Sequence, residues 1–219
     1  MKAVAFSSVK YENLRILPPL EPKDKTATWS RGSIRDNEFN ELIVTGPSLP
    51  VVFSGCRFNN VVFSMRGPAD ESAYAFECFL HSVLSVVEEN VSANPEKFKP
   101  GVKNAALLQY DRDFIRPSSY SPDLPNEMRV KLAVKRDQVD EHGEVVDLID
   151  SVFVDESGAR IDPQDITSGS EILPIIKISY YRNGNKFGLN LVLLKGLVYP
   201  RIRATRSLDY SELEFDIIV

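Results

Sequence analysis

From Ile172 to Leu208 the sequence holds no aspartate or glutamate, although the 219-residue chain carries 31 acids against 26 lysines and arginines, a formal charge of −5. A negative total argues against a phosphate-rich partner, because neutralising phosphates needs a basic surface. The acid-free block reverses that inference. It contains Lys177, Arg182, Lys186, Lys195, Arg201, Arg203 and Arg206, and the segment after it contains Asp209, Glu212, Glu214 and Asp216 with no cation. Charge is segregated along the chain, and the sum conceals it.

Other scarcities exclude whole classes of function. Cys56 and Cys78 are the only cysteines, too few for a disulfide framework, and we expect both to be small core residues. His81 and His142 are the only histidines. His81 sits near Cys78, but two ligands without a third make a poor metal site. No apolar run approaches the roughly 18–20 residues of a membrane span. The first ten residues lack an apolar stretch of signal-peptide length, so we expect an intracellular, non-secreted protein away from membranes. Neither a Walker glycine loop, nor a dinucleotide fingerprint, nor a Ser–His–Asp signature is present. Asp147, Asp150, Asp155, Asp162 and Asp165 fall in a turn-rich stretch without calcium-loop spacing, and read as solvated loop residues better than as a two-metal nuclease. The expectation is therefore no enzyme, no catalytic residue, no metal and no cofactor.

What is present is a β-rich pattern. Hydrophobic residues make up 43% of the chain, and 14 prolines with 11 glycines imply many turns. Residues 2–9 suit a short strand and residues 18–36, which hold the only tryptophan, Trp29, with Arg31 and Arg35, read as loop. Residues 40–66 suit two or three Val- and Phe-rich strands broken by Gly46-Pro47 and Gly55. Over residues 70–90, Phe76, Phe79, Leu80, Val83, Leu84 and Val87 recur at helical spacing, with Asp70 or Ser72 as cap. Residues 91–127 read as a long irregular segment, usually functional or mobile when so long. Residues 128–135 alternate, which places Arg129, Lys131 and Lys135 on one polar face. Residues 145–155 and 159–161 read as a hairpin turning at 155–158.

The strongest local signal is Asn183-Gly184 between two β-rich runs, the mark of a two-residue type I′ turn. That turn pairs Arg182 with Asn185, Tyr181 with Lys186, Tyr180 with Phe187, Ser179 with Gly188, Ile178 with Leu189, Lys177 with Asn190 and Ile176 with Leu191. One face then collects Tyr180, Phe187, Ile178, Leu189, Ile176 and Leu191. The other collects Tyr181, Lys186, Ser179, Gly188, Lys177 and Asn190. Cations beside an aromatic ring, with a glycine allowing close approach, suit single-stranded nucleic acid. An ordinary solvated sheet face would look similar one lysine at a time.

The stretch "DITSGSEILPIIKISYYRNGNKFGLNLVLLKGLVYP" (165–200) resembles the C-terminal strands of the OB-fold single-stranded DNA-binding proteins of bacteriophages and large nucleocytoplasmic DNA viruses. The matching features are Gly169-Ser170 before the strand 172–181, a short turn, and Lys186-Phe187-Gly188-Leu189. Upstream, an amphipathic helix, "NPEKFKP" (94–100), "YSPDLPNEMRVKLAV" (120–134) and "FVDESGARIDPQDI" (153–166) follow in similar order.

The resemblance implies sequence-independent binding of single-stranded DNA, or RNA, in viral replication, recombination or repair, inside an infected host cell. It also implies an acidic tail that recruits replication proteins through Asp209, Glu212, Glu214, Phe215 and Asp216. The tail departs from the family form by ending in Ile217-Ile218-Val219, and its alternating Leu213, Phe215, Ile217 and Val219 could also form a docking strand. The expected fold is mainly β with one or two helices (α+β), an OB-like antiparallel barrel with long loops. Residues 1–206 would form one domain and 207–219 the tail, with homo-oligomerisation allowed. The expected nucleic-acid face comprises Lys177, Tyr181, Arg182, Lys186, Lys195, Tyr199, Arg201, Arg203, Arg129, Lys131, Lys135, Trp29, Arg31 and Arg35. The competing reading is a viral structural or assembly protein that oligomerises through β-strands.

Overall fold

The computed structural model describes residues 3–20, 28–55, 59–65, 71–118, 121, 123–139 and 145–199. In chain order the elements are β1 (Val4–Ala5), β2 (Arg15–Leu17), β3 (Trp29–Arg35), β4 (Ile43–Thr45), β5 (Leu49–Gly55), β6 (Asn60–Ser64), α1 (Glu71–Ala93) and α2 (Pro95–Phe98). There follow β7 (Gln109–Asp111), β8 (Ile115–Arg116), β9 (Glu127–Leu132), β10 (Val134–Val139), β11 (Val145–Ile149), β12 (Val152–Val154), β13 (Arg160–Ile161), β14 (Glu171–Asn183) and β15 (Lys186–Tyr199). The chain is mainly β with few helices.

The β14–β15 hairpin is the axis of the molecule. Along its free edge β14 pairs in succession with β5 at Glu171–Ile172, β4 at Ile175–Lys177 and β3 at Ser179–Asn183. The free edge of β15 pairs with β7 at Lys186–Gly188, β9 at Val192–Leu193 and β12 at Lys195–Leu197. Since β5 also pairs with β6, and β6 with β9, the strands β14, β5, β6, β9 and β15 close a ring. Their inward residues, among them Leu49, Val61, Phe63, Met128, Val130, Ile172, Ile176 and Leu193, are buried. The stripe of α1, extended by Ala73 and Val91 beyond the six positions read from spacing, joins them in one core.

The helix runs to Ala93 and stops before Asn94-Pro95, where proline lacks the amide to continue it. Ser72 lies inside α1, and Asp70 falls outside the described residues. The segment 91–127 is less irregular than expected: it contains the end of α1, then α2, β7 and β8. Residues 18–36 are not all loop, because Trp29–Arg35 form β3 on the edge of β14. Cys78 is exposed rather than a core residue; Cys56 lies outside the described residues.

The hairpin turns one residue later than the Asn-Gly signal predicts. Asn183 faces Lys186, so Gly184 and Asn185 form the turn, and of these two only Gly184 has a positive φ, 59°. That is the type II′ pattern, glycine first, instead of type I′. Asn183 is held in the strand by its partner Trp29 on β3, and its Oδ1 accepts a hydrogen bond from Thr28 Oγ1 at 2.9 Å. Each residue therefore faces a partner two positions further on: Tyr181 opposes Gly188, Ser179 opposes Asn190 and Lys177 opposes Val192. A shift of two preserves pleat parity, whereas a shift of one would have inverted both faces. The predicted apolar face is accordingly buried throughout.

The 128–135 run also needs correction. β9 ends at Leu132, and β10 belongs to a separate two-stranded sheet with β11. The break is fixed by the Ala133 amide, which donates to Ser151 Oγ at 2.8 Å, while that hydroxyl donates to Leu193 O at 2.6 Å. The predicted 145–155 strand is likewise divided, β11 pairing with β10 and β12 with β15 and β13.

Candidate nucleic-acid interface

On the outer face of the hairpin, Tyr181 lies opposite Gly188 and beside Arg31 of β3. A Cβ built on Gly188 would fall 2.7 Å from the Tyr181 ring, so the ring occupies the space that the absent side chain leaves. The tyrosine hydroxyl donates to Asp111 Oδ2 at 2.5 Å, and Lys186 Nζ reaches the same oxygen at 3.2 Å. Burial alone would raise the Asp111 carboxyl. The hydrogen bonds from Tyr181, the Asp113 amide and Lys186, with the lysine charge, outweigh it and hold the group below the ordinary Asp range. Burial and then the Asp111 carboxylate push the Tyr181 hydroxyl well above the usual tyrosine value.

Beside this ring is a cleft of about 230 Å³ whose lining includes Tyr181, Asn190, Arg116, Arg129 and Lys131. β9 supplies Arg129 and Lys131 because its alternation buries Met128, Val130 and Leu132 and turns the intervening residues outward. Trp29, 40% exposed at the start of β3, extends the same surface. Arg31 lies 5.5 Å from its ring centroid and Lys131 Nζ lies 5.9 Å from it, both within cation–π range. Burial, and then the charge of Arg31, lower the Lys131 ammonium below the ordinary lysine value. Two like charges are thus gathered on one ring.

The expected cations divide into two groups. Lys177 is paired with Glu41 at 2.5 Å, Lys186 with Asp111, and Lys135 with Asp150 at 2.7 Å on the separate sheet. Arg182 is buried, on the Tyr180 face by simple alternation, and donates to Phe98 O at 2.9 Å. It leaves the surface set, as does Lys135. Arg35 donates to Phe39 O at 2.6 Å near the far end of β3. In contrast, Arg31, Arg129 and Lys131 form no ion pair among the described residues, and they converge on Trp29 and the cleft. Lys195 is exposed but lies past a bulge, opposite Ile175, and Tyr199 faces Glu171 at the far end of the hairpin. Arg201, Arg203 and the tail residues Asp209, Glu212, Glu214, Phe215 and Asp216 lie outside the described residues.

Arg116 and Asp111 were missed in the sequence. They sit in the 91–127 segment, whose length marked it as functional without saying which side chains it delivers. His81 packs against the Phe114 ring with centroids 4.9 Å apart. Among the described residues no group of three or more His, Cys, Asp or Glu could hold a metal ion, and no helix is long and apolar enough to cross a membrane.

No family model and no curated protein matches the chain. Solved structures do match. The single-stranded DNA-binding protein gp2.5 of bacteriophage T7 aligns at 16% identity over 72% of this chain and 91% of its own, with a TM-score of 0.40. The single-stranded DNA-binding protein of bacteriophage Enc34 aligns at 10% identity over 90% and 98%, with a TM-score of 0.42. A further structure of that protein, in complex with single-stranded DNA, aligns at 12% identity over 83% and 93%, with a TM-score of 0.34. The chain is similar to bacteriophage single-stranded DNA-binding proteins.

Proposed function

We propose that the chain binds single-stranded DNA without sequence preference, in viral DNA replication, recombination or repair, and that it has no catalytic site. The supporting observation is that Arg31 and Lys131 gather on the exposed ring of Trp29 while Arg129 and Lys131 line the adjoining Tyr181 cleft, none of the three forming an ion pair among the described residues. Cations that no carboxylate holds give up no ion pair when they turn onto phosphates, and an exposed indole offers every base a stacking surface. In this reading the closed ring of β14, β5, β6, β9 and β15 is an OB-like barrel, and its outer face on β3, β14, β15 and β9 tracks the strand. Arg116 contributes from the cleft wall. Lys177 and Lys186 contribute less than their positions on the polar face suggest, because carboxylates already hold them. The acidic tail serves to recruit replication proteins within the infected cell.

Because Trp29 is the only tryptophan, its emission reports the site directly. Titration with oligo-dT should quench it, and fluorescence anisotropy of labelled oligo-dT should give an affinity that falls steeply with salt. Trp29→Ala should weaken binding by roughly 5- to 150-fold, the equivalent of about 1–3 kcal/mol of stacking per base. Competition with duplex DNA and single-stranded RNA defines the preference. Binding that neither quenches Trp29 nor responds to salt would overturn this placement, and no binding at low salt would overturn the function.

A further inference from the structure

Asn190 is 3% exposed, yet it lines the cleft with Arg129, Lys131 and Tyr181. Its amide orientation follows from its neighbours. The Ser179 hydroxyl donates to the Asn190 backbone carbonyl at 3.4 Å, so it offers only lone pairs to the Asn190 side chain, and Nδ2 donates to it at 3.1 Å. Oδ1 therefore points away from Ser179, and among the described residues it is a buried acceptor with no hydrogen-bond partner. An acceptor in that state costs free energy that a donor from a ligand would recover. The register setting Lys131 beside Val192 brings Arg129 level with Asn190, so the side chains around it include long cations, without an ion pair among the described residues, that phosphates would draw outward.

We propose that Asn190 Oδ1 accepts a hydrogen bond from the Watson–Crick edge of an unpaired base seated in this cleft, and so favours single strands over duplex. The inference rests on the single-strand reading above. The chemistry fits sequence-independent binding, because each of the four bases carries an N–H on that edge: N3–H of thymine, N1–H of guanine and the amino groups of adenine and cytosine. A lone acceptor reads none of them apart. In a duplex the same N–H groups are consumed by pairing, so the acceptor senses whether a base is free.

The test compares labelled oligo-dT with the same strand carrying N3-methylthymine, which lacks the N–H, on the full chain and its variants. The wild type should bind the methylated strand roughly 3- to 10-fold more weakly. Asn190→Leu should bind both strands equally. Ser179→Ala, a smaller change that frees the amide to turn, should shrink the difference, and it decides the matter if the leucine variant does not fold. Equal affinity of the wild type for both strands would overturn the proposal, as would a difference undiminished in the folded variants. Either result leaves the proposed function standing, whereas failure of the wild type to bind oligo-dT at all would remove both.

Discussion

Changing Asp111 to Asn should move stability and DNA affinity in opposite directions. One carboxylate oxygen, Oδ2, accepts the Tyr181 hydroxyl at 2.5 Å and Lys186 Nζ at 3.2 Å. The Asp111 side chain is 15% exposed and that of Lys186 is 46% exposed, so the ion pair is well screened and contributes about 0–1 kcal/mol. The bond to Tyr181 survives with a neutral acceptor, falling from about 1.5–3 kcal/mol towards about 1. The net cost is about 1–2 kcal/mol, a fall in Tm of roughly 3–6 °C for a chain of this size. Binding should improve, because Lys186 is released onto phosphate and a repelling charge is gone. One additional phosphate contact steepens the plot of log affinity against log salt by about 0.7. That amounts to several-fold tighter binding near 50 mM salt, an advantage that fades as salt approaches 1 M. Differential scanning fluorimetry and anisotropy titrations at four or five salt concentrations measure both effects. A folded Asp111→Asn protein with an unchanged salt slope, or with weaker binding at low salt, would refute the reasoning that Lys186 is withheld from DNA by this carboxylate.

The same group sets part of the acid limb of stability. Its folded pKa is depressed, so its contribution is full above the unfolded Asp value of about 3.9 and is lost as pH falls through the lower folded value. Thermal melts from pH 6 to pH 2 should therefore fall less steeply in Asp111→Asn than in the wild type. The two glycines facing tyrosine rings should differ in severity. A Cβ on Gly32 would lie 1.9 Å from the ring of Tyr180, which is fully buried and donates to Leu17 O, so Gly32→Ala should abolish stable folding. Gly188→Ala meets the half-buried Tyr181 ring at 2.7 Å and should cost about 1–3 kcal/mol in urea denaturation. Among the cations, Lys131→Ala should flatten the salt slope by about 0.7 at little cost in stability. Arg182→Ala should lower Tm, and Lys135→Ala should leave oligo-dT affinity within twofold, both checked by melting and anisotropy.

Much of the fold is legible in one dimension because it follows from local periodicity. The alternation of Ile176, Ile178 and Tyr180 with Lys177, Ser179 and Tyr181 settles which face of β14 is buried, since a pleat has a period of two whatever its neighbours are. The spacing of Phe76 to Val87 settles the buried stripe of α1 in the same way. Arg182 could have been read correctly by the same rule, since it shares parity with Tyr180. The turn could not. Asn-Gly and Gly-Asn are both acceptable to an isolated hairpin, and β3, pairing at Trp29 from more than 150 residues away, keeps Asn183 in the strand.

The candidate site depends still more on long-range contacts. That the chain has a basic, aromatic sheet face, with charge segregated from an acidic tail, is a property of the sequence alone. Which cations are available on that face is not, because availability depends on where the acids arrive. Glu41 reaches Lys177 across 136 positions, and Asp111 reaches Tyr181 across 70. The strands laid along β14 and β15 bring these carboxylates onto two expected contacts, Glu41 just before β4 and Asp111 at the end of β7, and leave Arg31, Arg129 and Lys131 without an ion pair among the described residues. Periodicity decides faces because backbone geometry is local; pairing decides charge because electrostatic neutralisation acts between whatever groups the fold brings together.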